Sequence, residues 1–397
     1  MNIGFFLQSH AQFGGTEKIL TDTIVNWKNK DDKLFFFCNN DHKGFKGIKR
    51  KISKHAKLVT YSSNIFSPKS SEFKSSILLL IKKLFYYVFI SYISMIFEFF
   101  IFKKLFSKFD LDAIFIHNGG WPAARMTRSA LLASHSLKVK KINLVIHGIA
   151  KPHPFSIKFQ EKMIMNLISK IDMRVITVSK AAAKSIKKNT SLPIPKVIYN
   201  GAKCEIKNKN LRSQIKIKEN MFVVLSVGSL DVNRGHHILI ESFSQIIKQK
   251  KNIILIIAGD GSIKDRRSIK SLVKKFHLND NVKLLGYRED ISDLIYICNL
   301  LVNPVISTES FGLTLIEAMS LKKPTIASRI GGTTEIVENN KTGFLVKANN
   351  AEVLSSKILK ISNDPKTRRI FGENGFKKYK SFFTLNNMIF NYKKLLN

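Results

Sequence analysis

Cysteine is scarce: Cys38, Cys204 and Cys298 stand far apart in 397 residues, with no CxxC among them. An odd, scattered set excludes a disulfide scaffold and a zinc site, and it fits a reducing compartment. Acidic residues are also few. Asp and Glu number 28 against 66 Lys and Arg, a formal charge of +38, part of which belongs to a composition rich in Lys, Asn, Ile and Phe. So basic a chain suits nucleic acid or an anionic membrane surface. No nucleic-acid module accompanies the lysines, which favours the membrane. The start, Met1-Asn-Ile-Gly-Phe-Phe-Leu7, has no cationic n-region and turns polar at Gln8, so it reads as a first strand and not a signal peptide. The loop behind it, Gly14-Gly15, lacks the full GxGxxG pattern, and a dinucleotide site is not indicated.

What is present is globular: 44% hydrophobic and 24% charged residues, in a chain long enough for two domains. Ile3 to Leu7 followed by Gly14-Gly15-Thr16-Glu17 and a helix from Lys18 to Trp27 is a strand, glycine loop and helix, where backbone can approach a phosphate or sugar. Residues 84–102 need separate treatment. Their nineteen positions carry Glu98 as the one charge, between Lys82-Lys83 and Lys103-Lys104. By length the run qualifies as membrane-spanning. Yet Tyr87, Ser91, Ser94 and Glu98 share one side at helical spacing, and a span would divide a parallel sheet across the membrane. Three readings stand: helices packed on the sheet with an apolar face dipping into a bilayer, a plain core helix, and a span. The first is preferred.

Two strands, Asp112 to His117 and Ile142 to His147, each end in histidine with glycine close behind. Strand C-terminal ends line the ligand crevice of an open α/β sheet. Asp110-Leu-Asp112 has the form of a metal-binding DxD, but it precedes its strand and sits at the wrong edge. The stretch that organises the chain is Asn303 to Met319. An apolar strand end, Leu300 to Val302, is broken by Asn303-Pro304, and helix formers resume from Thr314. Gly312 lets the backbone turn, and unpaired N–H groups at the helix start attract phosphate. Glu309 and Glu317 flank that site, ~10 Å apart by helix rise plus loop. Such a span suits hydroxyls at the two ends of a sugar-diphosphate-nucleoside.

Glu309-Ser310-Phe311-Gly312-Leu313 with Glu317-Ala-Met resembles the Glu-x7-Glu signature of retaining family 4 glycosyltransferases, GT-B enzymes that move a sugar from a nucleotide donor. Other segments resemble the family in order: Gly14-Gly15-Thr-Glu17, Val175 to Ser179, Val197 to Gly201, Gly259-Asp260-Gly261, and Gly286-Tyr287-Arg288 to Asp290. His147 matches the strand-end histidine that contacts the donor sugar. After Gly228 the family carries an arginine, here Ser229, and a lysine six positions on, here Arg234, both clamping the diphosphate. A guanidinium can do that task bidentately.

The resemblance implies an α/β fold of GT-B type, two Rossmann-like doubly wound domains facing across a cleft. Residues 1–202 would bind the acceptor, with membrane-associating helices around 77–108. A lysine-rich linker, 203–220, would open the donor domain, 203–375, and 376–397 would cross back as a helix. The catalytic residues implied are Glu309, Arg234 and His147. Donor binding would use Gly14, Gly15, Gly228, Arg234, Gly259, Tyr287, Arg288, Glu309, Ser310, Phe311, Gly312, Leu313 and Glu317. No metal or other cofactor is expected. The donor would be a UDP- or GDP-sugar and the acceptor lipid-linked or an oligosaccharide, at the inner face of the cytoplasmic membrane. Two rivals stay open: a GT-B nucleotide-sugar epimerase, and a non-enzymatic basic membrane-binding scaffold with a worn donor site.

Overall fold

Runs such as Ala113 to Ile116 and Ile253 to Ala258 are apolar at every position, which suits a strand covered on both faces. The structure is a computed structural model that describes residues 1–8, 14–62, 91–122, 125–152 and 158–397. It divides into two compact units, Met1–Tyr199 with Ile389–Asn397, and Asn200–Met388. The division falls at Tyr199 and not at 202, and the tail changes units at Ile389 and not at 376.

The first unit holds seven parallel strands, β1 Asn2–Leu7, β2 Lys33–Asn39, β3 Lys57–Tyr61, β4 Ala113–Asn118, β5 Lys141–Ile146, β6 Met173–Thr177 and β7 Lys196–Val197. Their order is β3-β2-β1-β4-β5-β6-β7. The winding reverses between β1 and β4, and loops leaving such a switch point part to open a crevice. One face is sealed by aromatics: Phe6 meets Phe102 at 5.0 Å between ring centroids, and Phe37 meets Phe106 at 4.9 Å. Asp112 accepts a hydrogen bond from the Asn2 N–H at 2.9 Å, so the DxD-like pair pins the entry to β1. The returning tail buries Tyr392 against Phe115, centroids 5.5 Å apart.

Of the run 84–102, the part before Ser91 lies outside the described residues. From there a helix, Ser91–Phe106, lies on the helix Met126–Ser136. Its polar side faces the protein: Ser94 is buried, and the Glu98 carboxylate accepts from Ser129 Oγ at 3.1 Å. Burial pushes Glu98 up to about 7. The fully buried Arg128 pairs with Glu161 of the helix Lys158–Ile168 at 2.6 Å, and Tyr92 donates to the same carboxylate at 2.9 Å. No helix among the described residues is long and apolar enough to cross a membrane.

The second unit holds six parallel strands, β8 Phe222–Val227, β9 Ile253–Ala258, β10 Val282–Gly286, β11 Leu300–Asn303, β12 Thr325–Ser328 and β13 Gly343–Val346. The order β10-β9-β8-β11-β12-β13 puts its switch point between β8 and β11. The lysine-rich stretch 203–220 belongs to this unit and is not a free linker. The Lys207 N–H donates to Asp293 at 2.7 Å, and Arg212 donates to the Ile297 and Glu219 carbonyls at 3.1 and 2.9 Å. Lysines on its outer side gave it a solvated look, while one arginine anchors it.

Candidate functional site

The two loops that leave the second switch point are joined backbone to backbone. Gly235 sits at φ +71°, and a Cβ there would lie 1.9 Å from the Pro304 carbonyl oxygen. Only glycine allows that approach. The Ile306 N–H donates to the Asn233 carbonyl at 2.9 Å, and Ser307 Oγ to Asn233 Oδ1 at 3.0 Å. This lacing brings Arg234 Nη1 to 2.8 Å from Glu309 Oε2, with the arginine side chain 41% exposed and the carboxylate 11%. The other Glu309 oxygen lies 3.5 Å from the Phe311 N–H. From behind, Gly331 presses on the Glu309 carbonyl, where a Cβ would come within 2.1 Å. Gly312, at φ +106°, then opens the helix Leu313–Ser320. A guanidinium beside a helix N-terminus is an anion-binding arrangement, and here the Glu309 carboxylate engages the cation.

Neighbouring strand ends complete this rim. The Gly228 N–H donates to the Ala258 carbonyl at 3.0 Å, and the Gly259 N–H to the Gly286 carbonyl at 2.8 Å. Tyr287 is half-exposed. Arg288 Nε is tied to Asp290 at 2.7 Å, a bond that raises the already high pKa of the arginine. Ser229 turns its hydroxyl to the Asp231 carboxylate. Glu317 is buried, and its carbonyl accepts from Ser320 Oγ at 2.6 Å. The sequence reading missed His236, buried beneath Gly228 and Ser229 with Nδ1 3.3 Å from Ser226 Oγ. Burial pushes it down to about 4.

In the first unit, the Gly14 N–H donates to the carboxylate of Glu17 at 2.9 Å, and Gly15 begins the helix Gly15–Val25. Glu17 is itself buried, 3.4 Å from His42 Nε2. His117 and His147, at the ends of adjacent strands, stack at 5.2 Å with His117 Nδ1 2.9 Å from His147 Nε2. Burial pushes His147 down to about 4, against an upward pull from Glu17. His117 lies well below the ordinary value through burial and then His147. Both rings are therefore neutral at pH 7. The pairing uses His147 Nε2, so Nδ1 is the edge left for a ligand.

Residues 207–378 match the family described as glycosyl transferases group 1. That stretch is a group 1 glycosyltransferase domain. The curated relatives carry related names. The capsular polysaccharide biosynthesis glycosyltransferase CapM of Staphylococcus aureus is 27% identical over 71% of this chain and 76% of its own. An uncharacterised glycosyltransferase of Methanocaldococcus jannaschii is 34% identical over 47% of this chain, and the match spans about half of that relative, 49%. Among solved structures, HepE of Anabaena, in complex with UDP, has a TM-score of 0.75 at 22% identity over 100% of this chain and 99% of its own. A glycosyltransferase of Rickettsia africae has a TM-score of 0.78 at 20% identity, covering 100% and 97%.

The expected α/β fold of GT-B type, with two Rossmann-like units, is therefore present. On one switch point the structure brings together Arg234, Glu309, Phe311 and Gly312, residues drawn from two separate loops of the sequence. Gly228 and Gly259 border the same edge, while Arg288 is spent on Asp290. Gly14 and Gly15 stand with Glu17 at the first switch point, and His147 stands with His117. Among the described residues no group of three His, Cys, Asp or Glu side chains could hold a metal ion.

Proposed function

We propose that the chain moves a sugar, with retention, from a nucleotide-diphosphate donor to a lipid-linked or cell-surface polysaccharide acceptor at the inner membrane face. The observation that carries the reading is the Arg234–Glu309 pair beside the opening of the helix Leu313–Ser320. The UDP and UDP-glucose complexes of HepE and the capsular role in the name of CapM support the donor and acceptor classes. Glu317 would bind the ribose hydroxyls and Glu309 the sugar hydroxyls. Arg234 and the amides of Phe311 to Leu313 would take the diphosphate. On donor arrival the diphosphate replaces the Glu309 carboxylate on Arg234, and Glu309 turns to the sugar. Negative charge grows on the diphosphate as the glycosidic bond breaks, so a fixed cation and amides there lower the barrier. His147, neutral, would contact the sugar, as the resemblance implies.

This reading assigns no step to a divalent metal, and activity is expected to survive chelator. The test is a thermal-shift screen with UDP, GDP and ADP without added metal. One base should raise Tm in the native chain and leave Glu317→Ala unmoved. No shift with any nucleotide, from folded protein, would sink the reading. Ser229, with its hydroxyl turned to Asp231 where the family has an arginine, would then favour the scaffold reading.

A further inference from the structure

We propose that the helices Ser91–Phe106 and Lys158–Ile168 together form one surface that docks on an anionic lipid bilayer. The inference deepens the lipid-linked acceptor reading and rests on it for its purpose. On the first helix Ile93, Ile96 and Phe100 are 51, 59 and 61% exposed, recurring at helical spacing. On the second, Phe159, Met163 and Leu167 are 74, 56 and 54% exposed, also one stripe. Both helices feed the same core cluster from their inner sides, through Phe102 and Phe106 and through Met165 and Ile168. Tyr92 bonds to Glu161 across the two helices, and both helices pack on the helix Met126–Ser136.

Helices that face water place their polar residues outward. Here the arrangement is inverted. Ser94 is buried, Glu98 bonds inward to Ser129, and Glu161 is held by Arg128. Every carboxylate of the two helices is therefore turned to the protein, while Lys103, Lys104, Lys158 and Lys162 are exposed. Apolar stripes flanked by cations alone suit acyl chains below anionic headgroups. A second copy of the chain would bring the same lysines and be repelled by them. The bilayer is the occupant that satisfies both the stripes and the charges.

Flotation of the full chain with phosphatidylcholine vesicles, with and without phosphatidylglycerol, tests this. The native chain should float with the anionic vesicles and, at low salt, only weakly with the neutral ones. The double variant Phe159→Glu, Leu167→Glu should lose at least about tenfold of that binding, with Tm and the nucleotide-induced shift retained. Lys158→Glu, Lys162→Glu should lose the preference for anionic lipid. Unchanged flotation of both variants, or no flotation of the native chain, would overturn the proposal. So would concentration-dependent dimers that the Glu variants abolish, since a second copy would then cover the face. If no nucleotide shifts Tm but the variants still stop flotation, the surface stands and the transferase reading falls.

Discussion

Glu309 has two partners that compete for it. Its carboxylate pairs with Arg234, yet the proposed chemistry needs that cation for the leaving group. Glu309→Gln keeps the shape and removes the charge. Transfer should fall about a hundredfold, while the Kd for the free nucleotide diphosphate, measured by calorimetry, should stay or tighten. Arg234→Gln should instead weaken that Kd by about tenfold or more. Equal losses of nucleotide affinity in both variants would contradict the exchange. His236 offers a second test. Its folded pKa of about 4 lies below the ordinary 6.5, so the unfolded chain binds more protons between those values. Its contribution is complete above pH 6.5, declines as pH falls towards 4, and is flat below. The loss is on the order of 3 kcal/mol. Tm measured across that window should slope less in His236→Asn than in the native chain.

Secondary elements were readable where one period dominates. Ile253 to Ala258 is a strand to the residue, because an apolar run bounded by Gly259 has few alternatives. Ends set by backbone conformation were less readable. The helix His236–Gln249 starts directly behind Gly235, whose left-handed backbone caps it. The helix expected from Lys18 begins at Gly15, because Glu17 reaches back to the Gly14 N–H. The glutamate pair of the candidate site could be named from its motif, but not that Glu309 meets Arg234, since that contact depends on where β8 and β11 lie in the sheet. Nor did any local pattern pair His117 with His147. Two element-level outcomes follow. Gly235→Ala should cost at least ~2 kcal/mol, seen as a lower urea midpoint, because the new methyl meets the Pro304 carbonyl. Arg128→Met should cost ~3–5 kcal/mol by leaving Glu161 buried without its cation.

At the scale of the molecule, an excess of +38 charges makes the compact state repel itself. Raising salt from about 20 to about 300 mM should screen that repulsion and lift Tm by a few degrees; a falling Tm would mean that the ion pairs matter more. The sheet of the first unit has another dependence. Tyr392 lies against Phe115, Lys393 sits over the Trp27 ring at 5.2 Å, and Lys141 and Arg174 donate to the carbonyls of Leu396 and Leu395. Yet roughly 190 residues of the second unit are made between that sheet and those contacts. At about 5–20 residues per second, a ribosome takes roughly 10–40 s to cross them. Through that interval the sheet of the first unit must stand without the strap that later covers Phe115 and Trp27.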